Sequence, residues 1–542
     1  MDAPGAERHL AVIDIGSNTA KLVALAYRPG YGYRHLDQLR DVVRLSQGMG
    51  EDGRLREDAM QRALDTLDSF RRYCDASRIE EIVATATSAV RDAVNGPEFL
   101  ARVRRETGIH LDVLSGEAEA RAGVRAVANS FSLDDALVVD LGGGSVQLSV
   151  MRDRRTVHGH SWPLGAVRAT ERFLAGDPAR KKHVKALRTA VRDAVEPWLE
   201  ARNREAEREG VTPPSDLPWV GMGGTLRSLA EAWQQRVDYP LPLLHGYRFR
   251  AEDLHVLATE LAGMPLADRS AMPGLGSDRA DIIVAGAVVL DELLQIAGRD
   301  AYLVSGQGLR EGMFYPKLFV HEPGHLAPDV RTFTARNLMR RYHGDTTHAE
   351  RVADFALVLY DALAGHFGYG EVERDWLQAA AWLHDVGMAI DYYGHHRHGA
   401  YLVMARPLPG FTHREQAIIA DLVRSHRKGK AQATVAPTLL EPGDAERLKV
   451  LAGILHVAEQ LERSKAGRVE RIDAHLHDDR FDVRIHARGD ATLERNAAVG
   501  RPTCSPACST GPSTCTWLRR CSRESHPHQG VRPHAARGRR GV

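Results

Sequence analysis

Cysteine is nearly absent from the body of this chain. Of its five cysteines only Cys74 lies outside the C-terminal region, where Cys504, Cys508, Cys515 and Cys521 fall close together. A lone thiol leaves no disulfide framework in the body. The four late cysteines lack the paired C-x-x-C knuckles of a structural zinc site and stand among Arg, Pro, Ser and Gly without hydrophobic periodicity, so a zinc module is not expected. No apolar run reaches the length of a membrane span, and the opening MDAPGAERHLAV carries no signal-peptide pattern. A soluble, cytoplasmic protein with no membrane partner is therefore expected. Charge of one sign is lacking too: at a formal net +1, a polyanionic partner has to be held by local basic patches, and nucleic acid is not expected.

What is present is length and a repeated motif. The 542 residues, 43% hydrophobic and 26% charged, suffice for roughly three or four domains with full cores. Ala136–Val150, ALVVDLGGGSVQLSV, reads as a strand delivering Asp140 into the turn Gly142, Gly143, Gly144 and Ser145, followed by a second strand. Such a turn serves either a tight hairpin or an anion, to which its bare amides would point while the carboxylate holds a metal. Leu10 to Ile15 repeats the pattern, carrying Asp14 into Gly16, Ser17 and Asn18 before the apolar run Leu22 to Tyr27. Two such hairpins facing across a cleft would grip a metal-phosphate from both sides.

Between the hairpins, apolar spacing predicts a helix over Arg56–Tyr73 and a buried strand at Ile82–Ala84, which runs into hydroxyl-bearing residues and Arg91, a candidate fork onto phosphate. A strand over Ile109–Leu114 ends at Ser115-Gly116-Glu117-Ala118-Glu119. Its two carboxylates fit either a general base at a cleft or a solvated helix start.

Five segments in order, DIGSNTAKLVALA, ATATSAVRDAVN, LDVLSGEAEARAG, VVDLGGGSVQLSV and GMGGTLRSLA, closely resemble the bacterial exopolyphosphatase and guanosine pentaphosphate phosphohydrolase family. The resemblance covers about the first 315 residues and continues more weakly to about Arg488. It implies an α/β fold of two actin-like (ribonuclease H-like) domains flanking a cleft. It further implies Glu119 as the base that activates water, and Asp140 in the site of Mg²⁺ (or Mn²⁺). Asp14, Gly16, Ser17, Asn18, Arg91, Gly142 to Ser145, Gly223 and Gly224 are implied as phosphate contacts. One position departs from the family pattern: Gln147 stands where a second acid is usual, and its amide reaches a metal only through water, without charge.

After a linker, His321 to Pro328, the chain reads as mainly helical. His348, the pair His384-Asp385 and the cluster His395, His396 and His398 are ligand types of the HD metal phosphohydrolases, which this region resembles, and His426 follows later in RSHRKGK. A second divalent metal site at His348, His384, Asp385 and Glu459 is expected from that likeness, Glu459 standing where an HD enzyme has its last aspartate. The alternative is a catalytically silent helical domain that extends a polyphosphate groove, with Arg424, Arg427, Lys428 and Lys430 as contacts, or mediates dimerisation. Arg180 to His183 is a further basic candidate. Strand alternation returns over Val469–Ala487, and periodicity is lost after about Ala498.

The organisation expected is therefore 1–125 and 126–318 for the actin-like domains, 319–466 for the HD-like domain, 467–496 for a partial small α/β domain, and 497–542 for an aberrant or disordered tail. The expected function is release of orthophosphate from the ends of inorganic polyphosphate by a homodimer. A guanosine pentaphosphate 5′-phosphohydrolase, a non-catalytic phosphate- or nucleotide-binding regulator, and a working HD-like enzyme with an N-terminal sensor are the alternatives.

Overall fold

The computed structural model describes residues 6–49, 52–342, 346–429, 431–478 and 480–499, and the backbone of 514–518. The first sheet contains β1 (Arg8–Ile15), β2 (Thr19–Arg28), β3 (Gly32–Val42), β4 (Glu81–Ala86) and β5 (Leu111–Val113) in the order β3-β2-β1-β4-β5. β1 to β3 form an antiparallel meander, while β4 and β5 run parallel to β1. Successive side chains of β1 serve two cores, as the two-residue strand period requires. Ala11, Ile13 and Ile15 meet the helices Glu57–Ala76 and Gly96–Thr107, and Leu10 and Val12 meet Phe314, Tyr315 and Leu318.

The second sheet repeats this plan. β6 (Ala136–Leu141), β7 (Val146–Arg152), β8 (Arg155–Trp162), β9 (Trp219–Met222), β10 (Arg248–Arg250) and β11 (Ala301–Val304) are ordered β10-β11-β9-β6-β7-β8. β6 to β8 are again an antiparallel meander, β9 lies parallel to β6, β11 lies parallel to β9, and β10 adds an antiparallel edge. Two α/β domains of one topology thus flank a cleft, the actin-like architecture expected from the motifs.

The connections between the domains cross over. The helix Gly116–Ala128 is capped by Ser115, whose side chain accepts from the Ala118 amide at 3.2 Å, and its first turn carries Glu117 and Glu119. Its Val124, Val127 and Ala128 pack on the second sheet, so the boundary at 125/126 falls inside an element that joins both domains. The helix Leu309–Leu318 returns from the second domain to cover the first sheet. Where the two helices meet, a Cβ on Gly312 would lie 1.9 Å from the Ala122 carbonyl oxygen, and Arg125 Nη1 donates to the Gly312 carbonyl at 2.9 Å. The expected linker is anchored here too: Ala327 N donates to Asn129 Oδ1 at 2.7 Å, and Asn129 Nδ2 donates to the His325 carbonyl at 3.1 Å.

A helical domain follows, built from Val330–Tyr342, Thr346–Phe367, Glu371–Leu383, His395–Met404, His413–Ser425 and Asp444–Leu461. The hairpin β12 (Val469–Leu476) and β13 (Arg480–Ala487) contributes Val469, Ile472, Val483 and Ile485 to the same core. The strand β14 (Thr514–Leu518) pairs antiparallel with β13. The remainder of the expected tail, 500–513 and 519–542, lies outside the described residues, and with it Cys504, Cys508 and Cys521. Among the described residues no helix is long and apolar enough to cross a membrane.

Because backbone meets backbone at Gly312, Gly312→Ala is expected to lower stability by about 1–3 kcal/mol, the usual cost of overpacking. Chemical denaturation followed by circular dichroism should show an earlier midpoint; an unchanged midpoint would contradict so close a crossing.

Candidate phosphoryl-transfer site

The two hairpins face each other. Asp14 ends β1 and Asp140 lies near the end of β6, and the turns that follow close with one hydrogen bond in common: Gly16 N donates to the Thr19 carbonyl and Gly142 N to the Ser145 carbonyl, both at 3.0 Å. The approach is close enough that a Cβ on Gly144 would lie 2.6 Å from Ser88 Oγ and 2.7 Å from Ser17 Oγ, which are themselves 3.2 Å apart. Gly223 and Gly224 bring the N-terminus of the helix Gly224–Arg236 to the same place.

These elements enclose a cavity of about 120 Å³ lined by Asp14, Gly16, Ser17, Asn18, Glu119, Asp140, Gly142, Gly143, Ser145, Gln147, Gly223 and Gly224. Every expected cleft residue except Arg91 and Gly144 is among these. Lys21, Arg227, Arg279 and Arg310 also reach the cavity. They were missed as site residues although Lys21 and Arg227 lie inside the quoted motifs, because one cation in a motif carries no positional signal of its own.

Burial raises the Asp14 carboxyl against the pull of Lys21 and Arg310; burial raises Asp140 as well, opposed by Arg227 and reinforced by Asp14. Neither carboxylate accepts a hydrogen bond among the described residues. Lys21 is pushed down to about 7 by burial and by the charges of Arg227 and Arg310, and burial with neighbouring Arg40 brings Arg279 to about 10. Three donors, Asn18 Nδ2, Gln147 Nε2 and Arg310 Nη1, are buried without a hydrogen-bond partner among the described residues. Carboxylate oxygens that accept no hydrogen bond beside donors without an acceptor among the described residues fit an oxygen-coordinated divalent cation carrying a phosphate.

Glu119 stands at the edge of this set, its side chain 12% exposed. Burial, with Asp140 nearby, pushes its carboxyl up to about 7, while Arg91 pulls the other way. Arg91 Nη1 donates to Glu119 Oε2 at 3.1 Å and to the Leu114 carbonyl at 2.9 Å. The guanidinium thus pairs with the carboxylate of a cavity-lining residue without itself lining the cavity. The Gln147 amide lies near enough to favour the Glu119 carboxylate but makes no direct hydrogen bond of good geometry.

A larger cavity of about 610 Å³ adjoins the first and shares Lys21, Arg227, Arg279 and Arg310 with it. Arg34, Arg40, Arg341 and Arg406 line it farther out, the last two from the helical domain. Arg180 to His183, Arg424, Arg427 and Lys428 line neither cavity, and Lys430 lies outside the described residues.

In the helical domain His348, His384 and Asp385 come together as expected. Glu459 does not join them. Its carboxylate accepts from Gln460 Nε2 at 2.8 Å and faces Arg463 at 3.6 Å, whereas His395 and His426 complete the group around Asp385.

The Ppx/GppA phosphatase family model matches residues 28–321, and the model of Ppx/GppA phosphatase domain III matches residues 330–497. An exopolyphosphatase structure from Cytophaga hutchinsonii is 28% identical with a TM-score of 0.52, the match covering 57% of this chain and 98% of that one. A Ppx/GppA family member from Aquifex aeolicus is also 28% identical, with a TM-score of 0.48 and coverage of 57% and 97%. An exopolyphosphatase-like protein is 24% identical, with a TM-score of 0.50 over the same shares, 57% and 97%. The paired aspartate-glycine turns, the half-buried Glu119 and the matched span, which takes in most of both α/β domains, agree: this chain is a member of the Ppx/GppA phosphatase family.

Proposed function

We propose that the cleft removes terminal orthophosphate from inorganic polyphosphate. The observation that carries this reading is the arginine-lined cavity continuous with the site. Seven arginines, Arg34, Arg40, Arg227, Arg279, Arg310, Arg341 and Arg406, face a space of about 610 Å³, suited to a flexible polyanion whose end enters between the hairpins. Guanosine pentaphosphate would present its 5′-phosphate to the same turns but has fewer charges to set against the outer arginines.

Within the cleft the turn amides, Asn18 and Arg310 hold the terminal phosphate, and Asp14 and Asp140 would hold Mg²⁺ or Mn²⁺. When bound, the ion neutralises charge on the transferring and leaving oxygens. Glu119 accepts a proton from water as the water oxygen bonds to the terminal phosphorus; the bridging P–O bond breaks, and the shortened chain leaves with that oxygen as its new end. Arg91 keeps Glu119 aimed. Gln147, a neutral amide, supplies a donor toward phosphate and no charge toward the metal.

Glu119 serves as base only when ionised, and with its carboxyl at about 7 it is protonated below that pH. Phosphate release, measured as kcat/KM against pH, should rise through about pH 7 and level above it. Arg91→Ala removes a charge that favours the carboxylate, so this limb should move to higher pH; an unmoved limb would contradict the positioning role. Glu119→Gln should lose on the order of 10²–10⁴ in kcat, and an unchanged rate would exclude it as the base. Release from neither long-chain polyphosphate nor guanosine pentaphosphate, with binding retained, would favour the regulatory reading.

The outer arginines supply a separate test. Arg341→Ala with Arg406→Ala should raise KM for long-chain polyphosphate about tenfold or more, for a loss of about 1.5 kcal/mol or more of charge-assisted bonding, and should leave KM for tripolyphosphate nearly unchanged. Equal effects on both lengths would contradict a chain lying in this cavity.

A further inference from the structure

His245 is a buried histidine that the cleft chemistry does not use. It lies in the segment 237–247, between the helix Gly224–Arg236 and β10, and is 5% exposed. Its ring packs against Phe131, with centroids 4.5 Å apart, and both ring nitrogens are engaged. Nε2 lies 3.0 Å from the Ser130 carbonyl oxygen, and the Gly306 amide donates to Nδ1 at 3.2 Å. A carbonyl only accepts, so the proton sits on Nε2 and Nδ1 is left as an acceptor. Burial pushes the ring down to about 4, so this neutral form persists at neutral pH.

Gly306 belongs to the loop 305–308, which joins β11 to the crossing helix Leu309–Leu318. Gly306 and Gly308 line the inner cavity, and Arg310 follows within two residues. Ser305 N donates to the Gly221 carbonyl at 2.8 Å, Gln307 N to Ser305 Oγ at 3.2 Å, and Gly308 N to Glu311 Oε2 at 2.8 Å. Those bonds extend the sheet or close the loop on itself and its helix. Of the four amides, only that of Gly306 is met by a side chain from another part of the chain. Without that acceptor the amide is free to turn into the cavity, and a glycine offers the turn little resistance.

The helical domain holds the same histidine from its other side. His413, the first residue of His413–Ser425, is 4% exposed. Its Nε2 donates to the His245 carbonyl at 3.0 Å, and its Nδ1 accepts from Tyr239 Oη at 2.9 Å. The Gly410 amide donates to the Ser130 carbonyl at 2.9 Å, beside the bond from His245.

We propose that His245 is a positioning residue of the cleft: its Nδ1 holds the loop 305–308 so that Arg310 faces the terminal phosphate, and the helical domain holds His245 through His413. His245 lines the outer cavity and not the inner one, so it touches no reacting atom. The part given to Arg310 rests on the function proposed above; the hold on the loop rests on the hydrogen bonds alone.

Two variants separate positioning from packing. In His245→Asn the side-chain oxygen takes the place of Nδ1 and still accepts from Gly306, while the bond to Ser130 is lost. In His245→Gln the longer amide reaches Ser130, and the acceptor beside Gly306 is lost. Each variant gives up one hydrogen bond, so their melting temperatures should fall by similar amounts. Orthophosphate binding to the full chain, measured by titration calorimetry with Mg²⁺, should weaken about tenfold or more in His245→Gln and stay within about threefold of the parent in His245→Asn. The kcat/KM for polyphosphate should follow the same order. Equal weakening in both variants, or none in either, would overturn the positioning role. His413→Phe, outside both cavities, should weaken orthophosphate binding about threefold, and no effect would overturn the helical domain's share. A parent that binds orthophosphate but releases none from polyphosphate would contradict hydrolysis without touching the binding comparison.

Discussion

Two half-buried carboxylates stand at the centre of the catalytic half of this protein. Asp14 and Asp140 occupy corresponding places on β1 and β6, face a common cavity, and are both raised by burial. Lys21, itself pushed down to about 7, pulls both the other way. The repeated sheet topology explains their placement: one strand-turn-strand unit, used twice, brings two acids and two sets of amides to one cavity.

The crossing helices make that placement reproducible. Gly116–Ala128 carries Glu119 at its start and packs on the second sheet, while Leu309–Leu318 carries Arg310 at its start and packs on the first. Glu119 and Arg310 are therefore positioned by the same contact at Gly312. Across the rim the domains meet through exposed pairs, Arg44 with Asp281 at 2.8 Å and Arg168 with Asp92 at 3.0 Å. Pairs of this kind contribute about 0–1 kcal/mol each, little beside the apolar packing of the crossing.

Local features were legible in the sequence and distributed ones were not. Both hairpins, the helix after Arg56 and the helix beginning near Glu117 follow from strand alternation, glycine turns and capping, which act within a few residues. β3 escaped notice because most of its residues are charged or polar and only partly buried, so the alternation is faint. The bond from Arg91 to Glu119 is not legible either, because nothing in the neighbourhood of Arg91 in sequence shows where its guanidinium lies. The arginine cavity draws side chains from β3, the helix after Gly223, the loop before Asp281, the crossing helix and the helical domain, and no window of sequence contains them. Likewise His395 and His426 stood out as histidines, but only packing brings them to Asp385 and leaves Glu459 beside Arg463.

The central claim is that a chain end, and only an end, fits between the two glycine turns while the rest of the polyanion lies among arginines. Phosphate release should therefore be compared for polyphosphate of one length with free ends and with both ends blocked as phosphoramidates. Steady release from the free chain and none from the blocked chain is the result expected. Comparable release from both would mean that internal bonds reach the catalytic groups, and would contradict the cleft as described.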